Sequence, residues 1–271
     1  MEVSQLTEIS EKVIEAVEEA SSRVMEIYDS DNFTIENKDD GSPVTMADRE
    51  SNSILSNLLE SLDIKAPILS EEGEVKKNKV STFWLIDPLD GTKEFINKNG
   101  EFTVNVALIE RGRPILGVVS APAINEMFVG FAGTSFKLID GKRISISPKK
   151  QFQDLCKVTV SKSHKSKIDQ IFVDICKEEF GTVEELPTGS SLKLCRVAEG
   201  SANIYSRLGP TYQWDIAAGQ AVVEASGGKV TSLEGEPLSY EFISEKKNPI
   251  FFCSGDPNYD WESLFKKISL D

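Results

Sequence analysis

The sequence predicts an α+β fold, in which an N-terminal antiparallel sheet with a helix pair is followed by a C-terminal mixed or parallel sheet covered by helices. Three observations predict it: two apolar stripes with helical spacing, a run of β-type segments separated by short turns, and a later alternation of strands and helices. The chain has 271 residues, of which 39% are hydrophobic. It can therefore bury a sizeable core, in one large domain or two modest ones.

The two N-terminal helices are predicted from the spacing of apolar residues. The first stripe falls mostly three or four residues apart and consists of Leu6, Ile9, Val13, Val17, Val24 and Ile27. A loop rich in Asn, Asp and Gly then runs to about Pro43, and Thr45 is the expected N-cap of a second helix. The buried face predicted for that helix is formed by Ile54, Leu55, Leu58, Leu59 and Leu62.

The N-terminal strands are predicted from short apolar segments. "APIL" and "TFWLI" are the first two, and five more are expected between Phe102 and Ser147. These five are "FTVNVALI", "PILGVVSA", "EMFVGFA", "SFKLI" and "RISIS". The short turns between them, such as "ERGR", "AGT" and "DGK", predict an antiparallel meander.

The polar segment "SPKKQFQDL" (147–155) interrupts this pattern and predicts a domain boundary near residue 150. The predicted domains are therefore 1–150 and 151–271. The second is expected to contain strands at "KVTVS", "TVEEL", "ANIYS" and "IFFCS", a hairpin at "GKVTSLEGEPL", and helices at 166–180, 190–199, 215–226 and "NYDWESLFKKI". Such alternation favours a mixed or parallel sheet covered by helices.

Composition excludes several classes of partner and site. The net charge of −14 argues against nucleic acid or an anionic membrane as a partner. His164 is the single histidine, and no Cys-x-x-Cys pair occurs among Cys156, Cys176, Cys195 and Cys253, so a zinc site is not expected. Reduced, buried thiols are expected instead. With no signal peptide or membrane span predicted, we expect a cytoplasmic protein, monomeric rather than dimeric.

Acidic residues stand at the ends of four predicted elements. Asp87 and Asp90 follow the apolar run in "FWLIDPLDGTKEF" (83–95), and Glu71 and Glu72 follow "APILS". Asp48 lies in the first turn of the second helix, and Asp215 lies where a later helix begins. Two successive strands that both end in paired acids point to a site, because sites collect at strand ends.

Each of these acids also has an ordinary structural explanation. Asp48 could complement a helix dipole, and Asp215 could be an N-cap. Glu71 and Glu72 could be a solvated pair, and Asp87 could form a turn before Pro88. Taken together, oxygen-only clusters without histidine or thiolate suit Mg²⁺ or Mn²⁺, and several acids imply more than one ion. An EF-hand does not fit, because the ligand offsets in "DPLDGTKEFINK" are wrong.

The motifs carry a resemblance to a known family. "GSPVTMAD", "LSEE", "WLIDPLDGTKEFINKNGEFTVNVALI", "PILGVVSAP", "SKSH", "GSSLKLCRVAEGSANIY" and "WDIAAGQAVVEASGG" resemble the inositol monophosphatase superfamily of magnesium-dependent, lithium-sensitive phosphatases, from about residue 41 to 228. Within it they are similar to the 3′(2′),5′-bisphosphate nucleotidases of the CysQ type. The resemblance implies a layered α/β/α/β/α sandwich, with metal binding and catalysis in the N-terminal domain. The C-terminal domain would complete the metal site and bind substrate.

The resemblance implies a role for each matching residue. The magnesium ligands would be Glu71, Asp87, the backbone carbonyl of Leu89, Asp90 and Asp215, holding two or three Mg²⁺ ions for which Mn²⁺ can substitute. Glu72 would act in catalysis indirectly, by contacting a metal ligand or through a bridging water. Asp48 and Thr92 would orient and deprotonate the attacking water, because a threonine hydroxyl can accept from water while donating to a carboxylate.

The predicted substrate contacts are less local in the sequence. The residues expected to meet the substrate are Gly91, Thr92, Ser161, His164, Gly189, Lys193 and Asp215. Gly189 is expected to open a helix with Lys193 one turn on, forming an amide cluster with an ammonium group. His164 could equally be a structural residue, and Lys193 a plain exposed lysine. Arg207 could bind a second phosphate, and the sequence does not decide whether Trp214 packs in the core or stacks on a base.

The predicted reaction is hydrolysis of 3′-phosphoadenosine 5′-phosphate to AMP and phosphate, with 3′-phosphoadenosine 5′-phosphosulfate as a further substrate and inhibition by lithium. "DGTKEF" resembles the nucleotidase branch, whereas the inositol enzymes tend towards "DGTTNF". Inositol phosphate hydrolysis is the alternative in the same class, and a fructose bisphosphatase matches less well. A metal-binding regulatory protein without catalysis is the alternative from another class.

Overall fold

The N-terminal layer is a pair of helices joined by a small β-ribbon. The computed structural model describes residues 1–30, 35–37, 43–74, 76–149, 155–162 and 167–268. Helices α1 (Val3–Asp29) and α2 (Met46–Glu60) match the predicted stripes, and Thr45 is the N-cap of α2. Strands β1 (Ile35–Asn37) and β2 (Pro43–Thr45) pair antiparallel within the stretch predicted as a loop.

The first large sheet has seven strands in chain order within the described residues. They are β3 (Ile68–Ser70), β4 (Thr82–Asp90), β5 (Thr103–Glu110), β6 (Arg113–Ala121), β7 (Glu126–Phe131), β8 (Thr134–Ile139) and β9 (Lys142–Ser145). The meander from β4 to β9 is antiparallel, as predicted. The N-terminal sheet is antiparallel, as predicted, except at one edge, where β3 pairs parallel with β4. The chain between them crosses back along the sheet instead of forming a hairpin.

Strand β4 is longer than the segment predicted from "TFWLI". Its ladder with β5 continues to Asp90, through a register shift between Asp87 and Asp90 that accommodates Pro88. The two carboxylates therefore belong to the irregular end of a strand rather than to a loop after it. A short helix, α3 (Thr92–Ile96), begins directly beyond Gly91, which has a left-handed φ of +86°.

The second large sheet is mixed, as predicted, and has the strand order β11-β10-β12-β14-β13. Its strands are β10 (Cys156–Ser161), β11 (Val183–Thr188), β12 (Ile204–Arg207), β13 (Lys229–Ser232) and β14 (Phe251–Ser254). The accompanying helices are α4 (Lys167–Phe180), α5 (Leu192–Ala198), α6 (Ala217–Ser226) and α7 (Trp261–Phe265). The hairpin predicted at 228–238 is reduced to one bridge, between Thr231 and Pro237, because β13 pairs with β14 instead.

Three apolar clusters stack these elements into the five layers α1–α2, seven-stranded sheet, α5–α6, five-stranded sheet and α4–α7. Strand β4 shows the alternation that permits this: Trp84 and Ile86 face α1 and α2, whereas Phe83 and Leu85 face the middle helices. The α/β/α/β/α sandwich is confirmed. The middle cluster joins residues from both sheets. The boundary between two domains near residue 150 therefore stays a prediction.

Close packing of α6 on the first sheet positions the chain just before it. A Cβ atom at Gly117 or Gly130 would overlap the backbone of Ala218 or Val222. These two glycines therefore let the helix approach the strands closely. Asp215, two residues before α6, is held in place by this contact.

All four cysteines are free and buried, as predicted. Burial raises the pKa of the Cys156 thiol to about 12 and raises the pKa values of Cys176, Cys195 and Cys253 as well. These thiols are protonated at neutral pH and are poor nucleophiles. Among the helices of the described residues, none combines the length and apolar character needed to cross a bilayer.

Candidate active site

Asp87 is the most deeply buried acid of the strand end, with 1% of its surface exposed. Its Oδ1 accepts a hydrogen bond from the backbone N–H of Leu89 at 3.1 Å. Burial raises the pKa of Asp87 well above its ordinary value, and the neighbouring carboxylates of Glu71, Asp90 and Asp215 raise it further. Four predicted ligands thus lie close enough to act on one another's charge.

The parallel pairing of β3 with β4 brings Glu71 to this place. Ser70 lies opposite Ile86, and the Glu71 backbone N–H donates to the Ile86 carbonyl at 3.2 Å. Glu72 follows, with its backbone N–H donating to Ser70 Oγ at 3.3 Å. Glu71 and Glu72 are both partly buried, so the alternative of a fully solvated pair does not describe them.

Asp215 reaches the same region from the second half of the chain. Its Oδ2 accepts from the backbone N–H of Tyr212 at 3.0 Å, whereas the N-cap of α6 is Ile216. The ordinary N-cap interpretation of Asp215 is therefore wrong. Burial raises its pKa well above the usual range, and the charges of Asp90 and Glu71 add to the effect.

Asp90 faces a turn of the second half of the chain. Its Oδ2 accepts from Ser190 Oγ at 2.5 Å and from the Ser191 backbone N–H at 2.6 Å. Burial raises the pKa of Asp90, while these bonds and the nearby Lys193 oppose the rise. Sequence reasoning missed both serines, although the small residues of "GSS" at the start of a predicted helix were a weak signal.

The chemistry of the predicted donor set, carboxylate oxygens with one backbone carbonyl, suits a hard divalent cation. Among the residues described, no group of three or more histidine, cysteine or carboxylate side chains stands in an arrangement that could hold a metal ion as it is. The acids are instead electrostatic neighbours, and the only side-chain ligands predicted are carboxylate oxygens. Mg²⁺ ordinarily takes one or two carboxylates and completes its coordination with water and phosphate oxygens. A bound cation would relieve the repulsion among carboxylates that raises the pKa of Asp87.

Asp48 has two roles at once in the geometry. Its Oδ2 accepts from both the backbone N–H and the Oγ1 of Thr45, at 2.7 Å each, which completes a capping box at the start of α2. Its Oδ1 accepts from Thr92 Oγ1 at 3.3 Å. The helix-dipole explanation places Asp48 in the first turn of α2, as observed, and it is compatible with the predicted Asp48–Thr92 pair because the capping box and Thr92 use different oxygens.

The carbonyl of Leu89 lies beside the same hydroxyl, 3.4 Å from Thr92 Oγ1. A hydroxyl has one proton, so Thr92 donates either to Asp48 or to this carbonyl at a given moment. The backbone around Leu89 is fixed from behind by Ser51 Oγ, which donates to the Pro88 carbonyl at 2.8 Å. Thr92, Asp48 and the predicted carbonyl ligand thus form one contiguous group.

A cavity of about 140 Å³ opens next to these acids. Of the residues predicted from sequence, those that line it are Asp90, Gly91, Ser161, Gly189, Lys193, Arg207 and Asp215. Glu94, Tyr205 and Thr211 line it too and were not predicted. His164, predicted as a nucleotide contact, lies outside the described residues.

Lys193 is 7% exposed, so the alternative of a plain surface lysine is wrong. Its Nζ donates to the carbonyls of Ser190 at 2.5 Å and Thr188 at 3.4 Å. Burial lowers the pKa of Lys193 to about 8, although the charge of Asp90 opposes the change. The cavity thus contains an ammonium group whose charge is sensitive to its surroundings.

Gly189 does not open a helix, contrary to the sequence prediction. Helix α5 begins at Leu192, because Ser190 takes a left-handed φ of +53° and turns the chain first. The Gly189 N–H donates to Glu101 Oε2 at 2.6 Å, and the Ser191 N–H donates to Asp90. The amides expected to face a phosphate are therefore engaged by carboxylates.

Arg207 and Trp214 were undecided from sequence. Arg207 lines the cavity, its Nη2 donates to the Pro210 carbonyl at 3.0 Å, and its buried Nε has no hydrogen-bond partner among the described residues. Trp214 is buried in the middle apolar cluster and stacks on Tyr212 with ring centroids 5.0 Å apart. Arg207 is therefore placed to meet a ligand, whereas Trp214 packs in the core.

Glu94 is a buried acid at the cavity that sequence reasoning missed as a functional candidate. Its carboxylate acts on the pKa values of both Asp90 and Lys193. A signal was available, because position 94 is one at which "DGTKEF" differs from the "DGTTNF" of inositol enzymes.

Comparison with known proteins gives three findings. The model of the inositol monophosphatase family matches residues 4–251. The 3′(2′),5′-bisphosphate nucleotidase CysQ of Escherichia coli strain K12 is 40% identical over 248 residues, which is 90% of this chain and 98% of that enzyme. The crystal structure of CysQ from Bacteroides thetaiotaomicron, described as a bacterial member of the same family, is 33% identical with a TM-score of 0.82, covering 93% of this chain and 98% of that one.

A more distant structure shares the fold. An inositol monophosphatase/NADP phosphatase complexed with Mg²⁺ and phosphate is 18% identical, with a TM-score of 0.78, and the match covers 98% of this chain and 97% of that chain. At this identity the likeness shows the architecture alone.

Proposed function

Because the chain belongs to the inositol monophosphatase family and is a phosphatase, we propose that it removes the 3′-phosphate of 3′-phosphoadenosine 5′-phosphate, giving AMP and phosphate. The observation that carries the proposal is the shared cavity, which is lined by Asp90 and Asp215 together with Lys193 and Arg207. Acids that can hold Mg²⁺ and cations that can meet a second phosphate are what a bisphosphate substrate requires. The name of the E. coli relative supports the same substrate class.

Glu71, Asp87, Asp90, Asp215 and the Leu89 carbonyl are the residues that would hold Mg²⁺. When bound, such an ion supplies Lewis acidity at the phosphoryl oxygens and lowers the pKa of a water molecule. Glu72, beside Glu71, is proposed to act through a water-mediated contact. Two or three ions, replaceable by Mn²⁺, and sensitivity to Li⁺ belong to the proposal.

Two residues of the chain, Thr92 and Asp48, are proposed to take the proton of the attacking water. Thr92 Oγ1, which donates towards Asp48 Oδ1 at 3.3 Å, presents its lone pairs to that water. Thr92 Oγ1 takes the proton of the water while its own proton passes to Asp48, as the oxygen–phosphorus bond forms and the bond from phosphorus to the 3′-oxygen breaks. The departing oxygen takes a proton from solvent and leaves as the 3′-hydroxyl of AMP. Asp48 is 2% exposed and fixed by Thr45, so its orientation is set before substrate arrives.

Residues from the second half of the chain would hold the substrate. Lys193 and Arg207 bring positive charge to a cavity whose other charged lining residues are acids, and this charge suits the 5′-phosphate that does not react. Inositol monophosphate lacks this second phosphate and would leave that charge unpaired. We therefore expect the bisphosphate to be preferred, and 3′-phosphoadenosine 5′-phosphosulfate to be hydrolysed too.

The test is phosphate release with Mg²⁺ from 3′-phosphoadenosine 5′-phosphate and from inositol 1-phosphate, followed by addition of lithium. Asp87→Asn and Asp90→Asn should each lower turnover by at least about 100-fold while leaving a folded protein. Asp63→Asn, a change at an exposed acid that is not among the proposed site residues, is the matched control and should leave turnover unchanged. Wild-type turnover in either site variant, or a preference for inositol 1-phosphate, contradicts the proposal.

A further inference from the structure

A second cavity, of about 800 Å³, lies at the opposite end of β4 from the acids. Its walls come from segment 77–81, from the turn Arg111–Gly112 between β5 and β6, and from segment 239–243. Because β4 separates Ser81 from Asp90 by nine residues, the two sites are about 25–30 Å apart. We call this cavity the basic groove.

The basic groove has a fixed backbone frame. Asn78 N–H donates to the Phe242 carbonyl at 3.1 Å, and Arg111 N–H donates to the Ser81 carbonyl at 2.6 Å. Tyr240 N–H donates to the Gly112 carbonyl at 3.0 Å. All three walls are therefore tied to one another, so the groove is preformed rather than created by loose side chains.

The charge of the basic groove opposes that of the whole chain. Lys77, Lys79 and Arg111 line it as exposed cations, and the described residues show no ion pair to any of them. Glu241 is the one acid in the lining, and its carboxylate is engaged by Lys246 at 2.6 Å. Three cations thus face one small cavity on a protein whose net charge is −14. Such a local field attracts small anions that the rest of the surface repels.

The turn between β5 and β6 places Arg111 at the rim of the groove. Arg111 and Gly112 have φ angles of +51° and +77°, which are typical of a tight hairpin turn. Ala132 and Gly133 show the same pair of conformations between β7 and β8. The turn therefore fixes the position of the arginine, and the positive charge of the groove is what an anion would meet.

We propose that the basic groove is a second binding site for small anions that bear two or more phosphate groups. Arginine offers a bidentate fork to phosphate, and the two lysines add point charges that can meet a second phosphate. The rings of Tyr240 and Phe242 form the floor but are only 2% and 3% exposed. They offer no face for stacking, so the phosphates and not a base are the recognised part.

The test is calorimetric titration of the full chain with inorganic pyrophosphate in metal-free buffer, where the carboxylates of the active site repel anions. The triple variant Lys77→Gln/Lys79→Gln/Arg111→Gln should bind at least tenfold more weakly than wild type. The triple variant Lys65→Gln/Lys142→Gln/Lys266→Gln removes the same charge from exposed positions elsewhere and should bind like wild type.

Two further arms identify the site and the ligand. Lys193→Met, in the catalytic cavity, should not change pyrophosphate binding, and ADP should bind within about tenfold of pyrophosphate. The proposal is overturned by equal weakening in both triple variants, by loss of binding in Lys193→Met, or by no binding at millimolar pyrophosphate. Tenfold tighter binding of ADP, or of an acidic hexapeptide, overturns the assignment to the phosphates alone. None of these results depends on which substrate the enzyme hydrolyses.

Discussion

The backbone N–H of Gly189 donates to Glu101 Oε2 at 2.6 Å, and this bond ties the turn before α5 to the segment that leads into β5. The same turn contains Ser190 and Ser191, which hold Asp90. A side chain at Gly189 would contact the Glu101 carbonyl at 2.8 Å, so glycine is needed for the approach. Glu101 thus connects the proposed substrate cavity with a proposed metal ligand.

Glu101→Ala should destabilise the protein and weaken substrate binding. It leaves a buried amide without its acceptor, which costs about 1–3 kcal/mol in the free energy of unfolding. The shifted turn should also raise KM for the bisphosphate. Glu101→Gln keeps an acceptor oxygen and should stay close to wild type in both thermal unfolding and kinetics.

A control separates this bond from the ion pair on the other oxygen. Lys162 Nζ lies 2.8 Å from Glu101 Oε1 in a partly exposed pair. Such pairs contribute about 0–1 kcal/mol, so Lys162→Met should change stability less than Glu101→Ala does. If Lys162→Met reproduced the full loss, the ion pair and not the bond to Gly189 would be responsible.

The two oxygens of Asp48 should be separable by mutation. Thr45→Ala removes the hydroxyl that caps α2 and should cost about 0.5–2 kcal/mol of stability while turnover is largely kept. Thr92→Val removes the hydroxyl facing Oδ1 and should lower kcat by about 10²–10⁴-fold with little change in unfolding. Asp48→Asn should show both effects.

Thermal unfolding and steady-state kinetics on the same preparations would check this pattern. Loss of turnover in Thr45→Ala equal to that in Thr92→Val would show that helix capping alone explains why Asp48 is needed.

Lys193 should impose an alkaline limit on substrate binding. Its pKa is lowered to about 8 by burial, so its positive charge is lost as pH rises through that value. KM for the bisphosphate should therefore increase above pH 8 in the wild type. In Lys193→Met, KM should be higher throughout and should lose this rise.

The contribution of Lys193 to stability should change with pH in the opposite direction to its contribution to substrate binding. The folded pKa of Lys193 lies below the ordinary value of 10.5, so folding favours the neutral amine. This residue's contribution to the free energy of unfolding should rise between about pH 8 and pH 10.5. A KM that stays flat across pH 8 in wild type would show that Lys193 does not meet the anion.

The proximity of the acids proposed as metal ligands could be predicted from sequence because much of it is local. Asp87 and Asp90 share one strand end, and the pairing of two short neighbouring strands brings Glu71 to it. The layered fold followed from periodicity and motif order for the same reason. The spacing of apolar residues in each helix and strand indicates which of its faces is buried, and few layer arrangements can cover two sheets.

The substrate side was predicted less well because it depends on contacts distant in sequence. Glu101 and Gly189 are 88 residues apart, and nothing in "NGEFT", the segment that contains Glu101, predicts the hydrogen bond between them. Serine at position 190 gave no sign of a left-handed φ, so α5 was predicted to begin too early. In the sequence Lys193 looks like an ordinary exposed helical lysine, and only the tertiary fold shows that it is buried.

Asp87→Asn should be more stable than wild type when metal is removed, and this advantage should shrink when Mg²⁺ is added. Burial and three neighbouring carboxylates raise the pKa of Asp87, so folding disfavours its charged form. Its contribution to stability grows as pH falls and is smallest above the raised pKa. Asparagine removes the charge but retains an oxygen for the Leu89 N–H. Wild type alone should gain the full stabilisation from Mg²⁺ binding.

The measurement is the unfolding temperature of both proteins in EDTA and in Mg²⁺, at pH 7 and at pH 5. In EDTA, the difference in unfolding temperature between Asp87→Asn and wild type should be smaller at pH 5 than at pH 7. A lower unfolding temperature for Asp87→Asn in EDTA would show that a protein donor already compensates this charge, and the argument for a cation at the strand end would fail.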